Sequence, residues 1–279
     1  MQPVQFAAIY RHLEEKSKSM PAHKLHGLAS MHAVDPVSGV LYLPLYSLGM
    51  AAHGMDGRID YLKKRAGGHD LQFFATSPLE ALEALEALCD EHYKNNVRFG
   101  DFFIRLYEIR KRAKHILEIG ESSFRQKLKP PSEFPSEQEF KTALKFLTKF
   151  RGISETSAQH VLMDLGWPIV KPDRHIQRIL YRLGGWNDFF DSEVGDKKLT
   201  SKEWYKFQKQ WTDAVRLITS QLSTAAGFCE LSSRKIDICL MWYSQTQKRD
   251  DPSLSPPVCT VDPACALCQV PDCMLRRPQ

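Results

Sequence analysis

Leu147–Gly184 reads LTKFRGISETSAQHVLMDLGWPIVKPDRHIQRILYRLG. Thr142–Phe150 has the spacing of the end of an amphipathic helix. Arg151-Gly152-Ile153-Ser154 makes a tight turn, and Glu155–Leu165 resumes a helix with Ala158, Val161, Leu162 and Leu165 on one face. A turn built this way leaves backbone N–H groups without intrahelical partners where the second helix begins, and a phosphate oxygen can accept them. Pro172 then interrupts the chain, and Asp173 opens a third helix, Arg174–Leu183. Taken alone, Asp173 is an N-cap.

Joined to the turn, the same Asp acquires a second reading. The segment resembles the helix-hairpin-helix DNA glycosylase superfamily, the endonuclease III and adenine glycosylase group, over roughly 40 residues. Phe150, Gly152, Ile153 and Ser154 fall on the hairpin pattern. Asp173, His175, Ile176, Arg178, Ile179, Arg182, Leu183 and Gly184 fall on the run that follows it. Arg151 replaces the usual Pro and Ser154 the second Gly. The resemblance implies that Asp173 is the catalytic carboxylate and that Arg151, Gly152, Ile153, Ser154 and Thr156 lie against DNA. It also implies that main-chain carbonyls of Thr148, Phe150 and Ile153 hold a monovalent cation.

Breaking an N-glycosidic bond builds positive charge on the deoxyribose, which an ionised Asp beneath the ring stabilises while it orients the incoming water. Members that also cleave the strand carry a Lys after the turn as an amine nucleophile. Here that position is Thr156, so the resemblance implies a monofunctional enzyme that uses water. Lys149 and Lys171 are nearby in sequence at other spacings. A displaced-Lys glycosylase and lyase is therefore one alternative, and a DNA-binding module without chemistry is the other.

The second motif is C-x5-C-x2-C-x4-C, formed by Cys259, Cys265, Cys268 and Cys273 among seven cysteines. Four thiols in so short a segment, without a secretory signal, read as a metal site rather than a disulfide framework. Zinc is the generic choice for four Cys. The placement after the hairpin resembles the 4Fe–4S loop of the endonuclease III group, with two gaps each one residue shorter. The expectation is a structural 4Fe–4S cluster, with zinc second. Cys239 lies in the apolar helical run Ile236–Tyr243 and reads as core, and Cys89 and Cys229 read likewise.

The chain has 279 residues, 43% hydrophobic content and formal charge +5. It contains no apolar run long enough to span a bilayer and no targeting peptide, which suits an intracellular monomer in the cytoplasm or nucleoid. Lys94–Arg151 holds fourteen Lys or Arg against seven Asp or Glu, including Arg110, Lys111, Arg112 and Lys114. That balance suits a polyanion such as double-stranded DNA, although a solvated helix face explains it equally well.

Helical spacing or caps mark Pro3–Ser19, Pro78–Tyr93, Phe99–Ile119, Ser136–Phe150, Lys202–Ser223 and Ser232–Gln245, so the fold class is mainly α. Met31–Leu48 reads as a small β-hairpin after the turn Asp35–Gly39. By resemblance the fold has two helical lobes. Residues 1–69 contribute to the second lobe, and 70–186 form a barrel with the hairpin at about 142–166. Residues 187–248 add C-terminal helices, and 249–279 a linker and Cys loop. Tyr42, Tyr46, Phe73, Phe74, Trp167 and Trp186 are candidates for stacking on a flipped base, against the commoner fate of aromatics as core. His23, His26, His32 and His53 match no metal-ligand spacing and suit a polar loop or base reading.

Overall fold

A computed structural model describes residues 1–17, 35–46, 52–92, 101–190, 199–222, 231–244, 259, 268 and 270–274. Among them are twelve helices and no strand: α1 Pro3–Ser17, α2 Pro36–Tyr46, α3 Ala52–Ala66, α4 Asp70–Thr76, α5 Leu79–His92, α6 Asp101–Ile119, α7 Glu121–Lys127, α8 Glu137–Leu147, α9 Glu155–Asp164, α10 Arg174–Arg182, α11 Ser201–Leu222 and α12 Ser233–Ser244. No described helix is long and apolar enough to cross a membrane.

The helices fall into two units. One comprises Met1–Ala33, Pro131–Leu144 and Glu155–Gln279, and the other Val34–Pro130 and Lys145–Ser154. This partition does not follow the 70–186 boundary drawn from the resemblance, since α9 and α10 group with both chain ends.

In the unit of Val34–Pro130 and Lys145–Ser154, α6 is the central element and packs on α2, α4, α5 and α7. Leu106, Ile109, Ala113 and Ile116 recur at helical spacing on its buried face. Phe124, Phe146 and Phe150 form a ring cluster with centroids 5.7–5.9 Å apart, which anchors the strand of chain leading into the turn.

The β-hairpin expected at Met31–Leu48 is absent from its described part, which is α2. Asp35 starts this helix: its carboxylate accepts from Ser38 N at 3.0 Å, its carbonyl accepts from Gly39 N at 2.8 Å, and Pro36 occupies the first helical position. Val37, Val40, Leu41 and Leu45 are buried at i, i+3, i+4 and i+8, a helical period hidden in an apolar run.

In the other unit, α10 packs on α12, and α1 on both α11 and α12. Ile176, Ile179 and Leu180 of α10 are buried, each worth about 1.5–3 kcal/mol. Trp186, Phe207 and Trp211 are also buried in this unit, with the Trp186 and Phe207 rings 5.5 Å apart. Ser136 and Glu139 form a capping box, with Ser136 N donating to Glu139 Oε2 at 2.8 Å and Glu139 N to Ser136 Oγ at 3.3 Å. Thr200 and Glu203 build a second box at the start of α11.

Candidate active site

Between α9 and α10 the chain runs as a strap, Trp167–Asp173, whose backbone groups are taken up by side chains. Gln208 grips Val170 at both ends, accepting from its N–H at 2.8 Å and donating to its carbonyl at 2.7 Å. Thr212 donates to Pro168 O at 2.6 Å and Ser233 to Ile169 O at 3.0 Å. Each bond satisfies a main-chain group that the irregular segment could not pair with itself.

Asp173 ends the strap as the N-cap of α10. Its Oδ1 accepts from His175 N at 2.9 Å and Ile176 N at 3.1 Å, while Oδ2 lies 3.6 Å from Lys171 Nζ. The carboxylate is partly exposed, at 19%. One oxygen is thus committed to the helix and the other faces an ammonium group. Lys171 was legible only as a neighbour in sequence. The signal that places it is Pro172, because the residue before a proline is held extended, and in extended chain residues two apart share a face. Lys149, the other lysine considered, is exposed beside the turn.

Below the strap lies an ionic network. Arg234 of α12 bridges Asp164 at 3.0 Å and Asp237 at 2.8 Å, and His160 Nε2 is 3.1 Å from Asp164. Lys171 N donates to Met163 Sδ at 3.3 Å, so α9 holds the strap directly. Burial pushes Asp237 up to about 7, against the pull of Arg234, with Asp173 and Asp164 adding to the rise. Burial also holds His160 well below its usual range, with Lys171 and Arg234 adding to it, so its imidazole is neutral.

At the hairpin, Gly152 has φ +79°, which a side chain tolerates poorly. Arg151, Gly152 and Ser154 are exposed and Thr156 partly so. Ile153 differs from expectation: its side chain is buried at 5%, and its N–H donates to Phe150 O at 3.1 Å inside the turn.

Tyr42, Phe74, Trp167 and Trp186 are core residues, with Tyr42 donating to Asp70 Oδ2 at 2.7 Å. Phe73 is partly buried. Nothing is described of the side chains of Tyr46, Cys89 and His53, and His23, His26, His32, Cys229, Cys265 and the linker 249–258 lie outside the described residues.

Cys259, Cys268 and Cys273 are buried, without disulfides, in the unit that holds α10. Arg182, only 1% exposed, donates to Cys259 Sγ at 3.3 Å, and Tyr243 OH donates to Cys268 Sγ at 3.3 Å. Burial pushes Cys259 up to about 11 while Arg182 draws it toward thiolate, and Cys273 and Cys268 oppose ionisation. Among the described residues, no group of three such side chains is drawn to ligating geometry. The chemistry of the set nonetheless fits a thiolate-bound metal, because anionic sulfurs supply the counter-charge a buried guanidinium needs. Cys239 is buried in α12, as a core residue would be.

No family model, curated protein or solved structure matches this chain. Function therefore has to be argued from the groups themselves.

Proposed function

We propose that the protein is a monofunctional DNA glycosylase that draws a damaged, mismatched or modified base out of the duplex and hydrolyses its N-glycosidic bond. The observation that carries this reading is the divided carboxylate of Asp173, with Oδ1 fixed by two N–H donors and Oδ2 turned to a cation at the mouth of a helix. Fixing one oxygen removes the rotational freedom of the other, so the negative charge is positioned before the sugar arrives.

As the C1′–N bond breaks, its electron pair leaves with the base and the ring becomes cationic. Asp173 stabilises that cation and takes the proton of the water that adds to C1′. The turn residues Arg151, Gly152 and Ser154 meet DNA phosphates, and the target base leaves the stack for the reaction.

Cys259, Cys268 and Cys273, with Cys265, would hold a 4Fe–4S cluster or, second, zinc, whose contribution is structural. Arg182 and Tyr243 would orient two of its sulfurs. Double-stranded DNA is the partner, bound by a monomer.

The test is base release, read by mass spectrometry, from duplex panels and naturally modified genomic DNAs with wild type and Asp173→Asn. Release that depends on Asp173 supports the proposal. DNA binding without release from any substrate would replace it with a binding module.

One observation favours a second reading. Lys171 Nζ, 3.6 Å from Asp173 Oδ2, is placed to pass a proton to that carboxylate and attack C1′ as the base leaves with the C1′–N electron pair, after which the C1′–O4′ bond opens to give a protonated Schiff base. Borohydride trapping on abasic DNA separates the two. A covalent adduct lost in Lys171→Gln would make the enzyme bifunctional, and no adduct leaves water as the nucleophile.

A further inference from the structure

Arg112 lies in the basic run of α6 that suggested a DNA-facing surface, yet it points the other way. Lys111 and Lys114 are exposed, whereas Arg112 is 3% exposed. Its Nη1 donates to Val40 O at 2.8 Å and its Nη2 to Arg151 O at 2.6 Å. The same Nη2 sits 3.3 Å from where a Cβ on Gly152 would be. A planar guanidinium therefore fills the inner side of the turn and takes up the carbonyl of its first residue.

We propose that Arg112 is the resident cation of the hairpin, fixing the backbone of 151–154 for a phosphate, and that the turn needs no monovalent metal ion. This rests on the reading of the turn as a phosphate clamp. Of the carbonyls that would hold such an ion, Phe150 O already accepts from Ile153 N, and the adjoining Arg151 O accepts from Arg112. A metal ion at neighbouring carbonyls would lie against a fixed positive charge in a region that screens it poorly.

Arg112 remains charged in place: burial lowers it to about 10, Glu108 supports the charge and Arg105 opposes it. The fork geometry also explains the pairing with Gly152, since any Cβ there would press on the group that holds the turn.

The test compares wild type, Arg112→Gly and Arg112→Gln. Hydrogen exchange of residues 147–154 is followed without DNA, and affinity for an unmodified duplex by anisotropy, in potassium chloride and in N-methylglucamine chloride at equal ionic strength. Wild type should show the same hairpin protection and affinity in both salts. Arg112→Gly should lose protection locally and at least about 10-fold in affinity for every sequence, and millimolar guanidinium should restore both. Arg112→Gln, which blocks the cavity with one donor, should not be rescued.

Loss of hairpin protection in wild type when potassium is withdrawn would overturn the proposal without any variant. Full protection and affinity in Arg112→Gly would overturn it too. Because the exchange readout needs neither DNA nor base release, a protein that releases no base can still pass this test.

Discussion

Asp173 commits Oδ1 to the helix start and turns Oδ2 to Lys171, so substitutions can separate its structural role from the proposed catalytic one. Asparagine retains an oxygen for His175 N and Ile176 N, and Asn caps about as well as Asp. Asp173→Asn should therefore keep its melting temperature and DNA affinity while base release disappears, as checked by calorimetry, anisotropy and single-turnover assays. Gly152→Ala puts a methyl in left-handed backbone 3.3 Å from Arg112 Nη2. It should cost about 1–2 kcal/mol by chemical denaturation and weaken binding alike for all duplexes.

Asp237 gives a pH signature. Burial raises it from 3.8 to about 7, so between those values the folded protein holds a proton that the unfolded chain releases, and stability falls as pH climbs through that window. His160 acts in the opposite sense below 6.5, where only the unfolded chain is protonated. The melting temperature of wild type minus Asp237→Asn, measured from pH 4 to 8, should decline to about pH 7 and then level. A flat difference would remove Asp237 from the network.

At the scale of elements, capping chemistry and periodicity were legible wherever a helix has one wet face. Ser136 with Glu139, and the Ala158, Val161, Leu162 face of α9, announce themselves by spacing. Helix α2 did not, because Val40, Leu41 and Tyr42 are all buried and Pro44 interrupts the pattern, leaving an apolar run that mimics a strand. Short α4 and α7 offer too few turns for a period to show.

The strap before α10 was invisible for another reason. Its conformation is dictated by Gln208, 38 residues away from Val170, and no local pattern encodes that partnership. Gln208→Leu would strand both Val170 groups, and with them Gln159, in a buried site. Each group left unpaired costs about 1–3 kcal/mol. The variant should lose several degrees in melting temperature and show slower base release, with Asp173 no longer held in place.

At the scale of the whole molecule, local segments are more legible in the sequence than the way they group. The Asp-bearing helix and the Cys segment could be named from spacing, whereas the grouping of α9 and α10 with both chain ends depends on packing between distant segments. The cysteines illustrate the limit. Spacing nominated all four thiols, but only coordinates bring Arg182 and Tyr243 to two of the sulfurs. Protein purified without oxygen should carry about four irons and a broad absorbance near the visible blue; stoichiometric zinc and no colour would select the other metal. Stripping the metal should lower the melting temperature, because the cation of Arg182 then faces a Cys259 thiol that burial keeps protonated.

One side chain joins the two ends of this unit: the Gln5 amide donates to Leu183 O at 3.1 Å and to Pro271 O at 3.3 Å, the latter 266 residues away. A ribosome finishes α1 long before it makes either partner. At about 5–20 residues per second, α1 waits on the order of 10–50 s for Pro271. Until then the Gln5 amide lacks one or both of its carbonyls, and the buried face of α1 waits on α11 and α12 to cover it.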